Sequence, residues 1–254
     1  MLILLFTYLL KETSHAQSNR FIHISSGIQS SAERDYGYSP LIYDGLGGYI
    51  SIDFSSNGLS NSKRYSVSYS SGSLNNKWAK NMKVYTANFQ VYKFYHRNRD
   101  PLRGIHWGWS NNNESSIRDN ELAENFNFRS DHFTSFGGAV RIRLPLEILS
   151  KYFYMETLAH FQLLGLKMSS SYVDNNLNGF TGEVESGFNA LMNSLELFYP
   201  GNSLNFGIWP GLTHELKTGN MIGINYRYDY ISLSGTHLSQ KSRGKFFLSL
   251  LFKI

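Results

Sequence analysis

From Phe21 onward the chain alternates apolar and polar residues one by one, in short stretches separated by Gly, Asn, Ser and Pro. Ile22, Ile24 and Ile28 interleave with His23, Ser25 and Gly27; Ile50, Ile52 and Phe54 with Ser51, Asp53 and Ser55; Tyr65, Val67 and Tyr69 with Ser66, Ser68 and Ser70. The same pattern runs through Tyr85–Val91, Ile105–Trp109, Val140–Leu144, Phe153–Leu163, Phe206–Glu215, Ile222–Tyr230 and Phe246–Ile254. A period of two is the signature of strands with one apolar and one polar face, and it predicts ten of them. The connections alternate in length. Short ones fall at Asn57–Lys63, Asn98–Pro101, Glu147–Lys151 and Lys217–Asn220, long ones at Ser31–Leu46, Leu74–Met82, Asn111–Asp131, Met168–Ser203 and Ser232–Gly244. That rhythm predicts an all-β, up-and-down antiparallel barrel of about ten strands, within a range of eight to twelve, with both termini on the short-turn side. Val184–Phe198 fits two readings, a short helix in the fourth long loop or two further strands turning at Pro200-Gly201-Asn202.

Alternation alone does not say which face meets solvent. A soluble barrel hides its apolar face, whereas a membrane barrel turns it to lipid and keeps polar side chains in the lumen. Here the polar face carries Asp53, Arg141, Arg143, Glu156, His160, Arg227 and Asp229 at mid-strand. Tyr and Trp gather near strand ends, as at membrane interfaces. Both features predict a transmembrane barrel. Composition agrees: aromatic residues make up 15% of the 254, charged residues only 17%, and there is no Cys, which excludes disulfides and a Cys nucleophile. The net charge of +5 is dispersed, without the basic cluster that nucleic-acid binding requires.

Met1–Leu10 (MLILLFTYLL) is an apolar run too short to span a bilayer as a helix but suited to a signal-peptide core. Ser14-His15-Ala16 resembles a cleavage site, so residues 1–16 read as a signal peptide and 17–254 as the barrel domain. The basic segment that usually opens such a peptide is missing, so translation is expected to start upstream.

The ending KFFLSLLFKI resembles the C-terminal recognition strand of bacterial outer-membrane proteins, with Phe252 and Ile254 on its apolar face. GIWPGLTHELKTGNMIGINYRYDYISLSG (Gly207–Gly235), followed by that strand, is similar to the last three strands of small Bacteroidota outer-membrane barrels of the PorT-like kind. The resemblance covers about a fifth of the chain and rests on composition. It implies a bacterial outer-membrane location and a structural, interaction or secretion-associated role. It also implies contact with lipid and lipopolysaccharide, and with the barrel assembly machinery through the last strand. It carries no functional residues. A monomer is expected, with a protein partner at the external loops.

Catalytic patterns are sparse. His237-Leu238-Ser239 resembles the His-x-Ser pair of outer-membrane lipid A deacylases, which makes an esterase the alternative reading, with His237 as base and Ser239 as nucleophile. Leu250 and Leu251 stand where the orienting acid of that family follows. Asp131-His132 has no partner by spacing, and His214-Glu215 forms no metal motif. No cofactor or metal is expected. The polar face is more informative: Asp53, Arg141, Arg143, Glu156, His160, Arg227, Asp229 and Lys253 share one lumen that is narrow for unpaired charges. An interior ion-pair network that plugs the barrel is the main expectation, and a narrow solute channel the other. Glu156 is expected within about 4 Å of Arg141 or Arg143, where charge-assisted hydrogen bonds form.

Overall fold

A computed structural model of the chain describes residues 19–36, 39–58, 60–76, 82–96, 103–120, 128–148, 151–169, 195–235 and 238–254. The signal-peptide segment, His237 and most of Val184–Phe198 lie outside them.

The strands are β1 (Asn19–Asp35), β2 (Ser39–Asn57), β3 (Asn61–Asn75), β4 (Met82–Tyr95), β5 (Gly104–Asn120), β6 (Phe128–Ile148), β7 (Lys151–Ser169), β8 (Glu196–Phe198), β9 (Ser203–Glu215), β10 (Met221–Ser234) and β11 (Leu238–Lys253). Neighbours pair antiparallel in chain order. The ring closes through fifteen register pairs between β1 and β11, from Phe21↔Lys253 to Asp35↔Ser239. β8 pairs with β7 at Gly165–Lys167, and β9 pairs with the same strand lower down at Phe153–Phe161. The two therefore share one place in the wall, separated by the turn at Tyr199–Asn202, and the barrel has ten staves. The Pro200-Gly201-Asn202 turn is real, with Gly201 at φ 121°, but it interrupts one stave rather than adding two.

Register fixes the slope of the strands. Following partners from Arg20 through Ser56, Lys63, Lys93, Trp109, Gly138, Phe161, Phe206, Tyr230 and Ser242 returns to β1 at Ala32, twelve residues further along. For ten strands spaced ~4.8 Å apart, that stagger tilts each by about 40°. Ten residues of such a strand then climb roughly 25 Å, the height of an outer-membrane apolar band.

That band is present on the outside. Ile24, Ile28, Ile50, Ile52, Val67, Ile224, Leu248 and Leu250 are all between 47% and 61% exposed, while Ser25, Ser51, Asp53, Ser66 and Ser249 on the alternate positions are buried. Trp107, Tyr95 and Tyr152 mark its short-turn edge, and Tyr69, Tyr226 and Phe136 face outward further up. Polarity is inverted relative to a soluble barrel.

The long loops predicted from sequence are corrected by the structure. β1 runs to Asp35 and β2 begins at Ser39, so most of Ser31–Leu46 is strand; Asn111–Asn120 continues β5, and Leu238–Gly244 belongs to β11. Above the apolar band the outward positions become Ser30, Ser71, Ser73, Asn113, Ser115, Thr134 and Ser242. Both faces are then polar, and the alternating signal fades while the backbone ladder continues. On β5 and β6 the outward side chains bond to each other: His132 Nδ1 lies 2.8 Å from Ser115 Oγ, and Thr134 donates to Asn113 Oδ1 at 3.0 Å.

One irregularity interrupts the β6–β7 ladder. Phe136 pairs with Leu164 and Gly137 with Gln162, leaving Leu163 as an extra residue in a bulge, with Leu163 and Leu164 both facing outward.

Candidate functional site

Inward-facing charged side chains form three layers across the lumen. Nearest the short turns, Arg64 donates through Nη2 to Asp53 at 2.6 Å and lies 3.4 Å from Glu156 through Nη1. Glu156 also pairs with Arg143, its direct register partner on β6. Arg141 donates to Ser62 Oγ at 2.6 Å and to His106 Nδ1 at 3.0 Å, and both Arg141 and Arg143 reach Asn57 Oδ1. Two guanidiniums stack on aromatic faces, Arg64 at 4.0 Å from the Trp209 ring and Arg141 at 4.7 Å from Phe94.

In the middle layer Arg227 grips both carboxylate oxygens of Asp229 through Nε at 2.8 and 3.0 Å, and its Nη1 reaches Gln90 at 2.6 Å. Lys245 lies 3.3 Å from Asp229, His160 Nε2 lies 4.0 Å from the same carboxylate, and the Tyr92 hydroxyl lies 3.2 Å from the other ring nitrogen of His160. Around these polar groups sit buried apolar ones: Tyr49, Tyr92, Phe94, Leu158, Trp209 and Phe247 form one cluster inside the barrel. Gly207 makes the room, since a Cβ there would lie 2.4 Å from the His160 ring and 2.6 Å from the Asp229 carboxylate. Gly207→Val is expected to lower stability by about 1–3 kcal/mol through forced displacement of that pair. Urea unfolding in detergent measures it, and an unchanged midpoint would mean the lumen has slack at this height.

The layer furthest from the termini is the most enclosed. Arg118 binds three carboxylates, Asp131 at 2.5 Å, Asp35 at 3.0 Å and Glu33 at 3.2 Å. Arg243 binds Glu114 at 2.6 Å and Glu33 at 3.2 Å, and Lys241 lies 3.7 Å from both Glu114 and Asp131. All seven are buried.

These bonds run from wall to wall. β5 and β11, which carry Glu114 and Arg243, are five places apart in a ring of ten, as are β4 and β10, which carry Gln90 and Arg227. Arg64–Glu156 joins staves four places apart. Charges this deep are tolerable only when paired, so each bond both neutralises its partners and fills the bore.

Of the residues singled out by sequence, Asp53, Arg141, Arg143, Glu156, His160, Arg227 and Asp229 project inward into the first two layers. Lys253 does not join them. Its parity points to the lumen, but it is the last residue of β11 and its side chain is exposed at the mouth. Ser239 faces the lumen, 2% exposed, beside Asp35 in register, out of reach of an ester in the surrounding lipid. Asp131 and His132 point to opposite sides of β6, the first to Arg118 and the second to Ser115. His214 and Glu215 sit at the exposed end of β9, bonded to Tyr152 carbonyl and Tyr154 hydroxyl. Apart from Asp131, the residues of the Arg118 layer stand outside the alternating pattern, because they fall in stretches where both strand faces are polar. Parity was the available signal: Glu114 and Arg118 flank Ser116 at spacings of two, as do Lys241, Arg243 and Lys245.

No family model matches the chain, and no curated protein matches it in sequence. Solved structures it is similar to include the Neisserial surface protein A, at 10% identity and a TM-score of 0.34, covering 92% of this chain and 97% of that one. Another is the translocator domain of the autotransporter NalP from Neisseria meningitidis, at 8% identity and a TM-score of 0.37, covering 96% and 91%. A third is the beta domain of the Bordetella autotransporter BrkA, at 12% identity and a TM-score of 0.42, covering 94% and 100%. The chain is an outer-membrane-type β-barrel with a salt-bridged lumen. Its own inside-out polarity and closed ring make it so.

Proposed function

We propose that the protein is exported, loses residues 1–16, and stands in the bacterial outer membrane as a closed, non-conducting barrel with a structural or interaction role. The observation that carries this reading is the bridging of opposite walls at three successive heights. A conducting pore needs an unbroken polar path, whereas here each layer spends its charges on cross-lumen bonds. The strand ends that stand clear of the apolar band, with their outward Ser, Asn and Thr, supply a rigid polar collar for a protein partner at the far end. The likeness of Gly207–Gly235 and the closing strand to PorT-like barrels supports a secretion-associated partner of the Bacteroidota kind. Lipid and lipopolysaccharide surround the apolar band, and the assembly machinery engages β11.

Planar-bilayer recording tests the closed lumen. The reconstituted full chain should add no unitary conductance to the bare bilayer, and steady single-channel steps would overturn the reading. Cell fractionation tests the location: recovery from the soluble periplasm without detergent would refute it.

A further inference from the structure

The three layers differ in charge balance and in access. Among the described residues the network of the far layer joins four carboxylates (Glu33, Asp35, Glu114, Asp131) to three cations and is closed: side chains of Arg118, Arg243 and Glu114 are 3–4% exposed. The layer at the short-turn mouth has the opposite imbalance. Among the described residues three guanidiniums, Arg64, Arg141 and Arg143, face two carboxylates, Asp53 and Glu156. Arg141 is the surplus. Its hydrogen-bond partners are His106, Asn57 and Ser62, and among the described residues no carboxylate lies within 4 Å of it. A buried cation without a direct counter-charge is costly; Arg141, itself buried, lies behind Asn57 and Arg143, which line an opening at the mouth.

That opening is a cavity at the mouth, lined by Arg64, Arg143, Glu156, Asn57, His23 and Trp209 among others. Its accessible volume of about 60 Å³ is several times what a single water needs, enough for a small polyatomic ion and too little for a lipid or a sugar chain. Arg143 and Glu156 keep 15% and 20% of their side chains exposed towards it. Asn57 Oδ1, on the cavity wall, takes hydrogen bonds from both Arg141 and Arg143, so the surplus charge is focused there. Guanidinium forks match the spacing of oxyanion oxygens and bind them in pairs.

We propose that this vestibule binds a small oxyanion, a carboxylate or a phosphate group, entering from the short-turn side and held by Arg64 and Arg143 under the field of Arg141. Glu156 is then a competitor for the same guanidiniums, which gives the proposal a sign that a purely structural network lacks.

The test uses the full chain in detergent, titrated with sodium phosphate and, separately, sodium acetate, against sodium chloride at matched ionic strength. Thermal midpoint and tryptophan emission are read together, because Arg64 lies on the Trp209 ring. Either oxyanion should raise the midpoint of the wild type beyond chloride, and the tighter of the two identifies phosphoryl or carboxylate chemistry. Arg141→Gln should lose the specific shift. Glu156→Gln should bind about tenfold more tightly or better, and the oxyanion should restore its lowered midpoint. Equal responses to chloride and to both oxyanions in the wild type and in Glu156→Gln would overturn the proposal. If Arg141→Gln fails to fold, the Glu156→Gln arm decides alone. Ion conductance is read independently, so failure here leaves the closed-barrel reading standing or falling by its own measurement.

Discussion

Arg118→Gln will cost the barrel about 3–5 kcal/mol, the range seen when one member of a buried ion pair is removed and its partners stay behind. Arg118 joins β5 to β1 and β6 through Asp35, Glu33 and Asp131, and its side chain is 3% exposed. Gln keeps the length but has no positive charge and fewer donors, so Glu33, Asp35 and Asp131 would each lose a charged partner, while Lys241 and Arg243 already serve Glu114. Arg118→Lys retains charge while losing the fork, and should fall between wild type and Gln. Urea unfolding in detergent, or loss of gel heat-modifiability with temperature, measures both. A change under about 1 kcal/mol in the Gln variant would mean that this layer is wetter than its burial implies.

Deleting Phe246–Ile254 will abolish assembly altogether. The segment pairs with Phe21–Ile28 on one side and Met221–Tyr226 on the other, so its loss opens two edges within the apolar band. Backbone groups left unpaired in hydrocarbon cost several kcal/mol each, and a dozen of them exceed any stability a barrel of this size holds. No heat-modifiable species should reach the membrane. Normal insertion of the truncated chain would show that β11 is not the closing stave.

Much of this was legible in the sequence, for a physical reason. Where lipid presses on one side, every outward residue must be apolar and every inward one need not be. The two-residue period is therefore sharpest at Ile50–Ser55 or Tyr65–Ser70, and staves can be read there directly. Above the band water touches the outside and ion pairs fill the inside, so Ser115, Ser116 and Ile117 look like any loop although they are strand. Inner-face aromatics were hidden for a related reason. Tyr92 and Phe94 alternate with Val91, Lys93 and Tyr95, so hydrophobicity alone gives that stretch no sides. The Asp53, Glu156 and Asp229 neighbourhoods could be guessed from parity. The cross-lumen bonds of Arg64 to Glu156 and of Arg227 to Gln90 required the stagger of the ring, which no single stretch of chain records.

The extra residue at Leu163 acts on β7 as a single-base insertion acts on a gene: it shifts the frame of everything downstream. Phe161 and Lys167 share odd parity, yet the first faces lipid and the second is buried in the lumen. Were β7 to keep Leu163 but alternate straight through it with no bulge, Lys167 would point its ammonium outward, Leu164 and Leu166 would turn into the lumen, and Gly165 would leave its place against Phe133. A chain of this kind can therefore gain or lose residues within its staves only in twos, or in ones where a bulge absorbs the odd count. Removing Leu163 alone takes out the odd residue and the bulge together, so Leu164, Gly165, Leu166 and Lys167 keep the sides and the β6 partners they now have.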